Sequence, residues 1–340
     1  MPVFFPDREI EKSLKESRAS DIIFILLAGS TSIAQIPGIS AAGASSELMK
    51  MTPVVDSEII ISGRCLSLKD PPMTPDGIPS PSIITRAALQ IAGIRSIVVD
   101  AGLALDPAVP FVKSGLGIAC DPRKEAALPN YDRALEFGRY VGSLIEGKYS
   151  HVIVGESIPG GTTTSYMVLR SAGIHVETSS SLKEDPSDLK KKAWEDSRYR
   201  AAPVHNLLES VAEFGDYSMP VALGISSELG SSELILAGGT QMALAGRLIK
   251  SQTKAKPYLA TTGWVIDHRK STLEEVFGAD RIIRSDISFE SSRHEGLRQY
   301  DRGHVREGAG MGGAFMISAS KGHEEDLYRD VDSLYDRLSQ

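Results

Sequence analysis

The chain has 340 residues, 41% apolar and 24% charged, a mix that excludes a disordered or fibrous protein and leaves room for two domains or one large α/β unit. A formal net charge of −7 gives no general attraction to phosphate backbones or anionic lipid, so neither nucleic acid nor a membrane surface is expected as a partner. Apolar runs such as residues 22–28 fall far short of the roughly 20 residues that span a bilayer. The start carries Asp7, Arg8, Glu9, Glu11 and Lys12 with no apolar leader behind them, and Cys65 and Cys120 are too few for a disulfide framework, so a reducing cytoplasm is expected.

In chain order, runs rich in β-branched residues predict strands at Asp21 to Ala28, Ser57 to Ser62, Arg95 to Asp100, His151 to Gly155, Pro220 to Gly224, Glu233 to Ala237 and Pro257 to Thr261. Continuously apolar strands are buried on both faces, which predicts a mostly parallel sheet covered by helices, an α/β fold. Helical periodicity appears over Ile83 to Ile91 and over Tyr131 to Glu146, where Leu135, Tyr140, Val141, Leu144 and Ile145 share a stripe. Further helices are expected at Ser187 to Ala201, after Asp185-Pro186, and at Val204 to Phe214, beyond the break at Pro203. Glu324 to Leu338 sets Leu327, Val331, Leu334 and Leu338 on one face, with three acidic residues in its first turn. The segment Pro71 to Pro81 holds five prolines and Gly77 and must be a loop, either a lid or an ordered surface turn.

Three glycine-rich segments carry the chemistry. His151 to Ser165 reads as a strand, a glycine loop and a helix opening with hydroxyls, which suits a phosphate at the helix N-terminus; the structural alternative is a tight turn that only glycine permits. Gly155, Gly160 and Thr162 match the spacing of a P-loop, but Gly161 stands where the phosphate-binding lysine belongs, which argues against nucleotide triphosphate hydrolysis. Ala237 to Gly246 repeats the strand, Gly-Gly, helix pattern with Gly238 and Gly239, and two such turns would face one crevice of an open sheet. Gly303 to Ala314 sets Glu307 among glycines as a general base, the alternative being Glu307 paired with Arg302 or Arg306. The seven histidines show no metal-ligand spacing, so neither a metal nor a cofactor is expected. A G-x-S-x-G nucleophile elbow is missing, and Asp100 has no acidic neighbour of the kind that diphosphate-dependent phosphoribosyltransferases carry.

Five of these segments, in collinear order over nearly the whole chain, resemble the nicotinate-nucleotide:dimethylbenzimidazole phosphoribosyltransferase family of cobalamin biosynthesis, and more closely its archaeal branch. Gly155-Glu-Ser-Ile-Pro-Gly-Gly-Thr-Thr163 is similar to G-E-M-G-I-G-N-T-T, Gly238-Gly-Thr-Gln-Met-Ala-Leu-Ala-Gly246 to G-G-x-E-I-A-A-x-A-G, and Arg306-Glu-Gly-Ala-Gly310 to G-E-G-T-G. Val98-Val-Asp-Ala-Gly102 and Thr262-Gly-Trp-Val265 complete the set. The resemblance implies transfer of the phosphoribosyl group of nicotinate mononucleotide to a benzimidazole-type base or adenine, with inversion, giving an α-ribazole phosphate and nicotinate. Nicotinate leaves from an already cationic ring nitrogen, so no pyrophosphate needs neutralising.

By that resemblance Glu307 is the catalytic base, and Glu156, Gly160, Gly161, Thr162, Thr163, Gly238 and Gly239 hold the ribose phosphate. Lys192 is the counterpart of a family lysine, with Lys190 and Lys191 leaving the register open, and Ser40 lines the base pocket. The resemblance also implies a homodimer with a Rossmann-like parallel sheet: a core over 19–302, and a small helical subdomain from 1–18 and 303–340. Three departures stand out: Gly29-Ser-Thr-Ser32 replaces G-D-H-G, Ala42 and Gly43 replace tyrosine and proline, and Gly161 replaces asparagine. The first two leave the acceptor base open. Two rivals remain, a phosphoribosyltransferase or nucleosidase using another base, and a non-catalytic nucleotide sensor.

Overall fold

Two segments in which every residue is buried, the apolar run Ile22–Ala28 and His151–Ser157, become neighbouring central strands of a seven-stranded sheet. The structure, a computed structural model, describes residues 2–43, 45–201 and 203–340. The first half of the chain runs β1 (Val3–Phe4), α1 (Arg8–Glu16), β2 (Ile22–Ala28), α2 (Ser46–Ser62), α3 (Ser82–Ile91), β3 (Arg95–Asp100), α4 (Tyr131–Ile145), β4 (His151–Ser157) and α5 (Gly161–Ser171). The second half runs α6 (Ser187–Arg198), α7 (Leu207–Phe214), α8 (Ser218–Glu228), β5 (Glu233–Ala237), α9 (Thr240–Gln252), β6 (Tyr258–Thr262), α10 (Gly263–Val276), β7 (Ile282–Ser285), α11 (Glu295–Arg298), α12 (Met311–Ser320) and α13 (Glu324–Leu338).

The strand order is β1-β7-β6-β5-β4-β2-β3, parallel throughout except for β1, which pairs antiparallel with β7. The chain leaves β2 toward β3 on one side and resumes at β4 on the other. That reversal opens a crevice beyond the carboxyl ends of β2 and β4, the place where open α/β sheets bind ligands.

Alternation along the strands separates two cores. Ile23, Ile25 and Leu27 of β2 join an apolar cluster with α4, α5 and α7–α10, while Ile22, Phe24, Leu26 and Ala28 join one with α1–α3, α12 and α13. Both chain ends lie in this second layer. Because α12 packs directly on β5, β6 and β7, helices from both chain ends share an apolar cluster with the sheet. Leu327, Val331, Leu334 and Leu338 are buried as their spacing predicts. No helix among the described residues is long and apolar enough to cross a membrane.

Two expected strands are helical. Ser57 to Ser62 is the end of α2, which is capped by Ser45 accepting from the Leu48 N–H at 3.3 Å and stopped by Gly63 in the left-handed region (φ 70°). Pro220 to Gly224 lies inside α8, with Pro220 in its first turn. Both helices are buried nearly all round, so neither has the polar stripe that would have marked it, and burial overrides the β-branched preference. Strand β7 escaped notice because it is only four residues long and carries Arg284, and α7 starts at Leu207 rather than Val204 because Asn206 caps it.

The expected stripe of α4 is also corrected. Tyr140 and Leu144 are exposed, and the buried face is Ala134, Gly138, Val141, Gly142 and Ile145. Here α4 and α8 pack backbone on backbone: a Cβ on Gly138 would lie 2.3 Å from the Val221 carbonyl oxygen, and one on Gly224 2.3 Å from that of Leu135. Gly138→Leu is therefore expected to lower stability by about 3 kcal/mol, read as the shift in a urea midpoint at unchanged m-value.

His151, at the far end of β4 from the crevice, sits between the hydroxyls of Ser13, Ser17 and Ser150, and burial pulls its imidazole down to about 4. The unfolded chain takes up this proton near pH 6.5 and the folded one only near 4, so stability is lost as pH falls through that window, by up to about 3 kcal/mol. Between about pH 7.5 and 4.5 the wild-type Tm should fall more steeply than that of His151→Gln; parallel curves would disprove the assignment.

Candidate functional site

At the crevice β4 ends in Glu156 and Ser157, and the chain turns through Gly160 into α5. Gly160 adopts φ 83°, and a Cβ there would lie 2.5 Å from the Thr31 hydroxyl, so both backbone and space demand glycine. Gly160, Gly161 and Thr162 present the positive end of α5 to a cleft with about 790 Å³ of empty space, its open mouth included. Glu156, Glu307 and Ser40 line the same cleft. Six of the sequence-predicted residues therefore meet at one place.

Glu307 lies between two residues with uncommon backbone. Val305 (φ 45°) and Ala309 (φ 51°) are both left-handed without being glycine, a strain of the sort that collects at functional sites. Its Oε1 accepts from the Gly308 and Gly312 N–H groups at 3.2 and 3.1 Å, and its Oε2 from the Thr262 N–H at 3.2 Å. Burial, only partly offset by these N–H groups, lifts the carboxyl to about 7. The alternative of a salt bridge is not realised: Arg306 turns away and donates to the carbonyls of Ser180, Leu182 and Lys183. Burial also raises Glu156 well above the usual range, helped by the neighbouring charges of Asp216 and Glu307.

The remaining predicted residues stand apart from the cleft wall. Thr163 is wholly buried within α5. A Cβ on Gly238 would lie 2.5 Å from Met242 Cγ, so this position is closely packed, whereas one on Gly239 would make only ordinary contacts, 3.4 Å from Ser179 Oγ and 3.7 Å from Glu307 Cβ. Lys192 is exposed on α6 and does not line the cleft. Two residues earlier, about 200° around the helix, Lys190 turns inward and donates to the Thr178 and Ser179 carbonyls at 3.1 and 2.9 Å. Desolvation lowers Lys190 to about 8. Lys190 and Arg306 together fix the 178–183 segment, whose Ser180 and Ser181 line the cleft.

No protein-family model matches the chain. Among curated proteins it is 44% identical over 320 residues to a UPF0284 protein of Thermoplasma volcanium, covering 93% of this chain and 94% of that one. It is also 38% identical over 329 residues to the UPF0284 protein of Thermococcus gammatolerans, covering 94% and 98%. The chain belongs to the UPF0284 family. Two solved structures from Thermus thermophilus share its fold at 17% identity. CobT has a TM-score of 0.62 over 96% of this chain and 92% of that one, and a nicotinate-nucleotide-dimethylbenzimidazole phosphoribosyltransferase has 0.59 over 92% and 83%. The fold expected from the five motifs is thus found, and the curated relatives are UPF0284 proteins.

Two further side chains of this UPF0284 protein that the sequence did not mark line the cleft. Asp56 lines the cleft from α2, fully enclosed, and accepts from the Ser80 and Ser157 hydroxyls at 2.5 and 2.6 Å; burial raises its pKa. It was hidden because its helix reads as a strand, yet an aspartate in an apolar run is itself a signal. Gln241, in the first turn of α9, also lines the cleft, and no spacing in the sequence marks it. The Pro71 to Pro81 loop forms a wall of the cleft. It is folded on itself by Thr74 N–H to the Ile78 carbonyl and Ser80 N–H to the Pro72 carbonyl, both 2.9 Å, and tied down by the Tyr300 hydroxyl on the Pro79 carbonyl at 2.7 Å.

Proposed function

We propose that this UPF0284 protein transfers the phosphoribosyl group of nicotinate mononucleotide to a benzimidazole-type or adenine base. The observation that supports the reading best is the pairing, in one cleft, of a helix N-terminus able to take a phosphate with enclosed carboxyl groups and, among the described residues, no lysine or arginine in its lining. Such a site suits a donor whose leaving group is a cationic ring nitrogen rather than a pyrophosphate. The acceptor nitrogen attacks C1′ as the C1′–N bond breaks with its electron pair going to nicotinate, and the proton of the acceptor N–H passes to a carboxylate. Glu307, held at about 7, is that base in the first reading.

A second assignment of the proton has its own support. Both Glu307 oxygens are taken up by backbone N–H groups, whereas Asp56 has only hydroxyl partners, which rotate, and stands beside the Ser40 to Gly43 segment through Thr52, whose hydroxyl donates to the Ala42 carbonyl at 3.0 Å. The reaction itself is tested by release of nicotinate from nicotinate mononucleotide with and without an azole. Release that requires the acceptor supports a transferase, equal release without it makes the protein a nucleosidase, and binding without release is the sensor.

A further inference from the structure

Gln241 is nearly fully enclosed, yet its carboxamide forms part of the cleft wall. Its Nε2 donates to Asp216 Oδ2 at 3.2 Å and to the Ser218 hydroxyl at 3.3 Å. The single hydroxyl proton of Ser218 is given to Asp216, so Ser218 offers Gln241 lone pairs only. Asp216 also takes the Ser218 N–H at 3.1 Å and the Thr164 hydroxyl at 2.6 Å. These partners fix which way the amide faces: the NH2 points to Asp216 and Ser218, and the carbonyl Oε1 points the other way, over the first turn of α5. A Cβ on Gly161 would lie 1.9 Å from this Oε1. Among the described residues no donor reaches it.

The position is unusual for an acceptor. The N-terminal turn of α5 favours anions, whereas a carbonyl oxygen fixed beside it can only accept, so the group it takes is a donor such as a hydroxyl. Gly161 makes the arrangement possible, since any side chain at 161 would displace the amide.

We propose that Gln241 is a specificity-determining residue whose Oε1 accepts a hydrogen bond from a sugar hydroxyl of the nucleotide whose phosphate meets the start of α5, so that the site selects ribonucleotides over deoxy sugars. This rests on the reading of the cleft as a nucleotide site. A site built around a hydroxyl rejects the analogue that lacks it, because the enclosed acceptor is then left unpaired.

The test is calorimetric titration of the full-length protein with nicotinate mononucleotide and with its 2′-deoxy and 3′-deoxy analogues. Wild type should bind the parent at least about 10-fold more tightly than one of the two analogues. Gln241→Met, similar in length and without the carbonyl, should bring that ratio close to about 1. Asp216→Asn, which frees the amide to turn over, should lower the ratio part of the way, and because each variant is compared with itself, a general loss of stability leaves the ratio unmoved. An undiminished ratio in Gln241→Met, or equal affinities for all three ligands in wild type, overturns the assignment while leaving the nucleotide site standing. Absence of binding to all three in wild type overturns the nucleotide reading itself.

Discussion

Glu307→Gln should lower kcat by at least about 10²-fold while leaving nicotinate mononucleotide binding within a few-fold of wild type. Glutamine keeps the length of the side chain and removes the capacity to take a proton, but its NH2 replaces one of the oxygens that accept from the Gly308, Gly312 and Thr262 N–H groups, so a denaturant midpoint is measured beside the rate. The pH profile carries the more specific information. A base must be ionised to act, so with the carboxyl at about 7 the wild-type rate should climb about tenfold per pH unit below 7 and level off above it. In Glu307→Gln this acid limb should vanish and the residual rate should be flat. Asp56→Asn is the companion measurement. If Glu307 is the base, that variant keeps the limb and loses mainly acceptor affinity. If instead Asp56→Asn abolishes the limb and Glu307→Gln retains it, the proton belongs to Asp56, and Glu307 is a positioning residue held by the Gly308, Gly312 and Thr262 N–H groups.

Gly160→Val should abolish detectable nucleotide binding and cost about 3 kcal/mol of stability. A β-branched residue at φ 83° is strained, and its Cβ would sit 2.5 Å from the Thr31 hydroxyl and 3.1 Å from Ala34, so the turn into α5 has to move. That movement displaces the helix N-terminus, and with it the backbone N–H groups on which an anion depends. Calorimetry with nicotinate mononucleotide beside a denaturant midpoint separates the two effects. Retention of wild-type affinity at reduced stability would show that the α5 turn does not touch the ligand.

The parallel sheet was legible because its central strands are buried on both faces and so read as apolar runs; Ile22–Ala28 and the Val152 to Gly155 part of β4 are the clearest. The same logic failed at α2 and α8, where helices buried nearly all round present the same unbroken run; α4 lies where its periodicity puts it, and only its buried face differs, because glycines rather than large residues make the contact. Glycine loops gave away Glu156, Gly160 and Glu307 because few other residues tolerate those backbones. Asp56 and Gln241 reach the cleft from ordinary helical positions, so their roles come from what surrounds them in space. Lys192 shows the limit of register: in a run of three lysines on a helix, only the fold decides which one turns inward.

The central claim is most directly tested by incubating the protein with nicotinate mononucleotide and dimethylbenzimidazole, with adenine as a parallel acceptor, and determining the anomeric configuration of the product by NMR. Direct displacement in one cleft predicts an α-linked ribazole or adenine nucleotide 5′-phosphate, formed in equal amount to nicotinate. A β-linked product, or nicotinate and free ribose 5-phosphate with no nucleotide formed, would contradict it.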